Sequence, residues 1–335
     1  MTPSSMMSGV LGSADFFRRM RGGVDIGAIH ADVKRPFRIF LCGDLALVAQ
    51  MRSTLLSGGN GTVPSDASAT LETLYPGRPT LTGQDAKAIV FLGHPGDHEG
   101  ADFSALLALG LPIFSLTVHP DVAPSSPSAP PERGKIGDYA VTSLSIPALR
   151  ASFFPHLVQA CAGAEVAVAR RLPVLREFCA AKLTRDCAKR ALTVAAASAV
   201  LDHVPLAGLV LGPIASAGDM VAITGLQMAL VLQVGACYGR DPDLQRVWEL
   251  LPVIGGGFGW RALSRELSGF IPVAGIAIKG AIAYAGTIVV GEGITFYHEH
   301  GQHMSAVDAA RLYDEAKTSA MALAREIIDK FRPRR

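Results

Sequence analysis

Residues 250–259, LLPVIGGGFG, pack four glycines into five positions between two long segments that carry almost no charge. Glycine costs about 1 kcal/mol relative to alanine in a helix interior, so this density in an apolar setting means two backbones in close approach or a break between helices. It marks the architectural centre of the second half of the chain. On its flanks, residues 220–239 hold no formal charge and residues 267–291 hold only Lys279. Both reach the ~20 residues that cross a bilayer. A third apolar piece, 203–218, is shorter and contains Pro205 and Pro213.

The rest of the composition agrees with an apolar chain. Of 335 residues, 49% are hydrophobic and only 18% charged, and the length suffices for two domains with their own cores. The net charge of +2 comes from basic residues spread along the chain, without runs interleaved with aromatics. Nucleic acid is thereby excluded as the expected partner. The five cysteines, Cys42, Cys161, Cys179, Cys187 and Cys237, form no CxxC pair and fit reduced thiols in a cytoplasm-facing protein. Residues 1–35 lack the continuous apolar core of a signal peptide and read as a flexible segment. Its Phe16, Phe17, Arg18, Arg19 and Arg21 are the part able to touch a membrane surface.

From residue 36 the pattern is βα. FRIFLCG is a short strand ending in glycine, and LALVAQMRSTLLSGG is a helix with its glycine stop. Residues 86–93 and 111–118 are two further strands around a helical ADFSALLALG, and YAVTSL, 139–144, is a fourth before a helix over 146–162. The alternation predicts a small parallel sheet with helices on its faces, residues 36–164. The proline-rich residues 119–134 read as a mobile loop. Beyond about 164 the strand signal gives way to helical periodicity, interrupted near Pro173. Residues 165–303 form a helical domain, and 304–335 an amphipathic helix, with Ser305 and Asp308 suited to its start, and a basic tail.

A strand running into glycine and a helix raises the question of a phosphate-binding loop, Gly-x-x-x-x-Gly-Lys-Ser/Thr. With its first glycine on Gly43, the second falls on Val48, the lysine on Ala49 and the magnesium-binding hydroxyl on Gln50. Each requirement fails, and Asp44 beside the turn repels phosphate. The guanine-reading Asn-Lys-x-Asp is reduced to VHPD, residues 118–121, which keeps only Asp121. Residues 97–100, Asp-His-Glu-Gly, match Asp-x-x-Gly, a pattern short enough to occur by chance.

Other constellations are equally thin. His298, His300 and His303 in HEHGQH miss the His-Glu-x-x-His helix pattern by one position and read as a solvated helix end rather than a metal site. No nucleophile elbow, Cys/His pair or carboxylate pair stands out, so no catalytic residue, cofactor site or metal site is expected. Gly208/Gly212, Gly235/Gly239 and Gly255/Gly259 each form Gly-x-x-x-Gly, a spacing that puts both glycines on one helix face for close packing. Asp219, Gln227, Gln233 and Lys279 are polar residues embedded among apolar ones, and Asp219 is a plausible partner for Lys279.

Residues 172–301 resemble the bacterial YcjF-type domain of unknown function, often found behind GTPase modules. The resemblance is carried by Asp219 and Gln227 in GDMVAITGLQ, by Tyr238, Gly239 and Arg240 in CYGRD, and by Gly255, Gly256, Gly257, Phe258, Arg261, Arg265 and Glu266 in the glycine-arginine motif. Pro272, Lys279, Tyr284 and Gly286 extend it. By analogy the front half resembles a degenerate P-loop GTPase-like α/β domain. The resemblance permits membrane association and names no reaction; with the nucleotide motifs lost and no catalytic set in view, the expectation is a non-enzymatic, membrane-associated interaction or scaffold protein. Its partners would be the cytoplasmic membrane, an unidentified protein and further copies of itself, with Lys189, Arg190, Arg240 and Arg261 at the cytoplasmic face. The competing expectation is a soluble nucleotide-responsive switch or hydrolase with a non-standard phosphate site.

Overall fold

The computed structural model describes the backbone of residues 24–75, 83, 85–97, 103–201, 208–243 and 275–331, and their side chains apart from 197–201, 208–221, 275–279 and 324–331. The chain divides into two compact units. One is Ala31–Lys182 with Ala236–Arg240; the other is Met1–His30 with Leu183–Gly235 and Asp241–Arg335.

Helix α1 (Ile26–Lys34) occupies part of the segment expected to be flexible. The α/β unit then runs β1 (Arg38–Gly43), α2 (Leu45–Leu56), a 3₁₀ turn (Ala67–Thr70), β2 (Leu71–Thr73), β3 (Ala86–Gly93), α3 (Ser104–Leu107), β4 (Ile113–Val118) and β5 (Ile136–Val141). Helices α4 (Ile146–Arg150), α5 (Phe153–Ala160) and α6 (Glu165–Arg171) and a 3₁₀ turn (Pro173–Leu175) follow. The five strands form one parallel sheet in the order β2-β1-β3-β4-β5. This doubly wound order reverses between β1 and β3, where open α/β sheets place their ligands, at the carboxyl ends of the strands.

Strand periodicity explains the two layers. Ile39, Leu41, Val90, Phe114, Leu116, Tyr139 and Val141 share one buried face, against Leu47, Val48, Met51 and Leu55 of α2 and Phe153, Leu157 and Val158 of α5. Phe114, Tyr139 and Phe153 close this core with ring centroids 5.7–6.0 Å apart. The opposite face gathers Phe40, Cys42, Ile89 and Ile113 with Leu74 and Leu111, and Phe103, Leu106 and Leu109 pack on it. At β5 that second face is open: Ile136 and Asp138 are exposed while Gly137, Tyr139 and Val141 are buried.

Several expectations shift here. β2 has three residues and no periodic signature, so the sequence did not reveal it; backbone pairing of Ile39, Phe40 and Leu41 with Leu71, Glu72 and Thr73 defines it. β5 begins three residues before the run YAVTSL. The helix expected over 146–162 is broken between α4 and α5 at residues 151 and 152. The proline-rich loop contains no named helix or strand, yet Ser125 exchanges both backbone hydrogen bonds with Ala140, at 3.0 and 2.9 Å. That single bridge covers the outer edge of β5.

In the helical unit, α7 (Arg176–Leu201), α8 (Gly208–Cys237), α9 (Gly275–His300) and α10 (Ala306–Phe331) are the long elements; α7 begins in the α/β unit and continues here. Antiparallel pairing of α9 with α10 follows from the contacts of Ala281 with Ala320 and of Ala285 and Val289 with Ala309 and Tyr313. Ser305 caps α10, its Oγ accepting from Asp308 N at 3.1 Å and donating to Asp308 Oδ2 at 2.7 Å, as its sequence suggests. Small residues set the packing distance: Ala191, Ala195 and Ala283 touch one another and Ile223 and Leu226. Gly291 of α9 lies so close to Thr184 of α7 that a Cβ there would overlap the threonine side chain.

One packing motif is corrected. Gly239 does not share a helix face with Gly235, because α8 ends at Cys237 and Gly239 has φ 83°. It is the left-handed residue that ends the helix, its N–H bonding Ala236 O at 3.0 Å. Gly255 and Gly259 lie outside the described residues.

Candidate functional site

The place to look for ligand chemistry is the carboxyl edge of the parallel sheet. There β1 delivers Gly43, whose φ of 105° brings the chain round so tightly that a Cβ would collide with Leu92 O. One residue later α2 begins. Asp44 sits between as the helix N-cap, and its Oδ1 accepts hydrogen bonds from Ala46 N and Leu47 N, both at 2.9 Å. Its own N–H donates to Leu92 O at 2.9 Å, locking the turn to β3. The N–H groups that a phosphate loop would present to an anion are therefore already bonded to a side-chain anion. Val48 faces the core and Ala49 and Gln50 are exposed, so none of the three positions tested for a phosphate motif supplies a cation or hydroxyl.

The neighbouring turns behave alike. After β3, Asp97 Oδ2 accepts from His94 N at 2.6 Å, and Asp97 N donates to His94 O at 3.1 Å, a closed polar turn. His98, Glu99 and Gly100 lie outside the described residues. After β4, His119 N donates to Val141 O, and His119 Nδ1 accepts from Asp121 N at 3.2 Å. The three turns, 43–47, 93–97 and 118–121, contain Asp44, Asp97 and Asp121 and no Lys or Arg. Such an edge sets up a field that opposes a polyphosphate.

The residues singled out by resemblance fall into three groups. Tyr238 and Gly239 are brought together, in the α/β unit, with the loop at residues 58–62, Gly-Gly-Asn-Gly-Thr, whose first two glycines the sequence marks only as a helix stop, and with Arg176, which sequence reasoning passed over. Arg176 is 1% exposed and donates to Ala169 O at 3.2 Å, to Thr62 O at 2.7 Å and to Asn60 O. Its guanidinium stands 6.0 Å from the Tyr238 ring centre. No carboxylate pairs with it among the described residues, and burial lowers its pKa. Thr62 Oγ1 donates to Gly239 O at 3.3 Å, and Arg170 Nη1 to Arg240 O at 3.1 Å. The signal was present but weak: Arg176 stands in an apolar context, PVLREFC, where a surface charge is out of place.

The second group lies in the helical unit. Gln227 Nε2 donates to Thr287 Oγ1 at 3.2 Å, linking α8 to α9, and Thr287 Oγ1 donates to Ala283 O at 2.8 Å. Tyr284 packs on the cluster of Leu192, Ala281 and Ala320, and Gly286 is buried in the same helix. These are packing positions. The third group lies outside the described residues: Gly255, Gly256, Gly257, Arg261 and Arg265 altogether, and Asp219 and Lys279 beyond their helical backbone.

The histidines at the end of α9 are held by aromatic rings. His300 stacks on Phe296 at 4.2 Å and His303 on Tyr297 at 5.7 Å, with His298 edge-on to Tyr297 at 5.5 Å. Among the described residues no three His, Cys, Asp or Glu side chains are placed to hold a metal ion. All five cysteines are free and buried, and burial pushes the thiols up, to about 12 for Cys42, Cys161 and Cys237 and about 11 for Cys187. Thiols in this state are poor nucleophiles. Tyr139 and His156 form a 2.8 Å hydrogen bond inside the α/β core, where burial raises the phenol and lowers the imidazole. No protein-family model, curated protein or solved structure matches the chain.

Proposed function

We propose that the chain is a non-enzymatic interaction or scaffold protein in which a GTPase-like α/β unit without a phosphate site is joined to a YcjF-type helical half, held peripherally at the cytoplasmic membrane. Asp44 carries the reading: the N-terminus of α2, the natural anion site of such a fold, is occupied by the chain's own carboxylate. The acidic carboxyl edge supports it, since phosphoryl transfer depends on positioned positive charge. Titration with fluorescent GTP and ATP analogues plus magnesium tests it. No saturable binding is expected, and saturable micromolar binding would favour the nucleotide-responsive switch instead.

The membrane part rests on the uncharged residues 220–239 and on Lys189 and Arg190, exposed on α7. Among the described residues no helix is long and apolar enough to cross a membrane. Most described positions of α8 and α9 are buried, which supports peripheral attachment rather than insertion. Isolated membranes should carry the protein in low-salt buffer and lose it to an alkaline carbonate wash. Retention in the carbonate pellet would mean insertion, and absence from untreated membranes would remove this part of the proposal.

A further inference from the structure

Ala236–Arg240 stands apart from its sequence neighbours. The stretches on either side, Leu183–Gly235 and Asp241–Arg335, belong to the helical unit, and these five residues alone join the α/β unit. What holds them is unusual in three ways. The chains approach too closely for a Cβ: one on Gly61 would strike Tyr238 O, and one on Gly239 would strike Thr62 Oγ1 and Thr62 O. Polar ties reach it from Thr62 Oγ1 to Gly239 O at 3.3 Å and from Arg170 Nη1 to Arg240 O at 3.1 Å. Beneath lies the Arg176 guanidinium, buried with Tyr238 and bonded to carbonyl oxygens, with no carboxylate paired to it among the described residues.

A buried cation satisfied only by neutral acceptors has given up its hydration without full repayment in Coulomb energy. Docking of the segment therefore carries part of the desolvation cost of Arg176, through the Tyr238 ring that stands 6.0 Å from the guanidinium. Docking gains the burial of Tyr238 and Cys237, at 3% and 0% exposure, and the cation–ring contact. These contributions oppose one another, the arrangement that a switchable element needs.

We propose that Ala236–Arg240 is a reversible latch, seated in the loop at residues 58–62 over Arg176 and released without unfolding of the sheet. Release frees the end of α8 and uncovers Tyr238, Arg176 and the glycine loop as one surface. The loop is also the exit of α2, whose entrance is the Asp44 turn, so a change at the carboxyl edge of the sheet has a direct mechanical route to the latch. The proposal stands on these contacts and does not depend on the absence of nucleotide binding.

Cys237 supplies the probe, because it lies within the docked segment and is fully buried there, where burial raises its thiol pKa. The full-length protein is labelled with a thiol reagent across a series of sub-denaturing urea concentrations, and each cysteine is followed by mass spectrometry. Cys237 is expected to react roughly tenfold or more faster than Cys42 and Cys161, with a much shallower urea dependence, the mark of local opening. Gly61→Ala should accelerate Cys237 by about another tenfold relative to Cys42 in the same protein. Equal rates and equal urea slopes for Cys237, Cys42 and Cys161 would show that the segment opens only with the whole unit and would overturn the latch. Fast labelling of Cys237 that ignores Gly61→Ala would overturn it as well. If Gly61→Ala does not fold, the comparison of slopes in the unaltered chain still decides.

Discussion

Asp44 shows how one side chain can decide what a fold is able to do. Its carboxylate satisfies two of the orphan N–H groups at the start of α2 and places negative charge at the positive end of the helix dipole. Asp44→Ala should cost about 1 kcal/mol and lower the melting temperature by a few degrees, whereas Asp44→Ser, which keeps an acceptor, should recover most of it. Thermal melts of the two variants beside the parent chain check this. At the amino edge of the same strand, Arg38 binds Asp85 at 2.7 and 3.1 Å and Glu72 at 3.0 Å. The hydrogen bond from Arg38 holds the Asp85 carboxyl below its ordinary value of 3.8. A folded-state pKa below the unfolded one gives stability that is present in full above the ordinary value and is lost as pH falls through the lower, folded value. Urea midpoints measured from pH 6 down to pH 2.5 should therefore converge for the parent and Asp85→Asn at the acid end. At pH 6 the variant should be less stable by about 1 kcal/mol, a modest figure because the pair is partly open to water. A constant gap over the whole range would assign the loss to packing instead.

Elements whose residues carry their own instructions were legible in the sequence, and those defined by a partner were not. β1, β3 and β4 are apolar runs closed by turns, α2 has a glycine stop, and α10 has its Ser305–Asp308 cap. β2 has nothing local to declare it: Leu71, Glu72 and Thr73 become a strand only because β1 offers an unpaired edge. Gly239 reads as half of a packing pair from spacing alone, but its positive φ depends on where α8 stops. The absence of a phosphate motif was readable at positions 43–50, while the reason the turn is so short, the seating of Gly43 on Leu92 O, was not. Between elements of the helical unit the testable link is Gln227 to Thr287. Gln227→Ala should cost about 1 kcal/mol, because Thr287 keeps its bond to Ala283 O and leaves no stranded hydroxyl. A double-mutant cycle with Thr287→Val measures the coupling, and a coupling near zero would reduce Gln227 to a spectator.

The composition shift near residue 164 suggests a boundary between an α/β half and a helical half, but the compact units divide inside α7, after Lys182, and exchange Ala236–Arg240. No local pattern encodes that placement, since it depends on a glycine loop 177 residues from the segment it holds, counted from Thr62 to Gly239, and on Arg176, also distant in sequence. The consequence is a molecule with two cores joined along one continuous helix, and the question it raises is whether they melt together. Each unit offers a substitution whose damage is local. Asp44→Ala removes a cap in the α/β unit. Gly291→Ala forces a Cβ into Thr184, whose buried Oγ1 has no hydrogen-bond partner, and overpacking of this kind costs about 1–3 kcal/mol in the helical unit. Thr184→Ala should recover part of that loss, and only part, because its own Cβ would still stand 2.7 Å from the new one. If the cores unfold separately, scanning calorimetry of the parent chain resolves two transitions, and the two substitutions each lower a different one. If both lower a single shared transition, α7 transmits cooperativity through its whole length, and the two units are one thermodynamic body despite their separate cores.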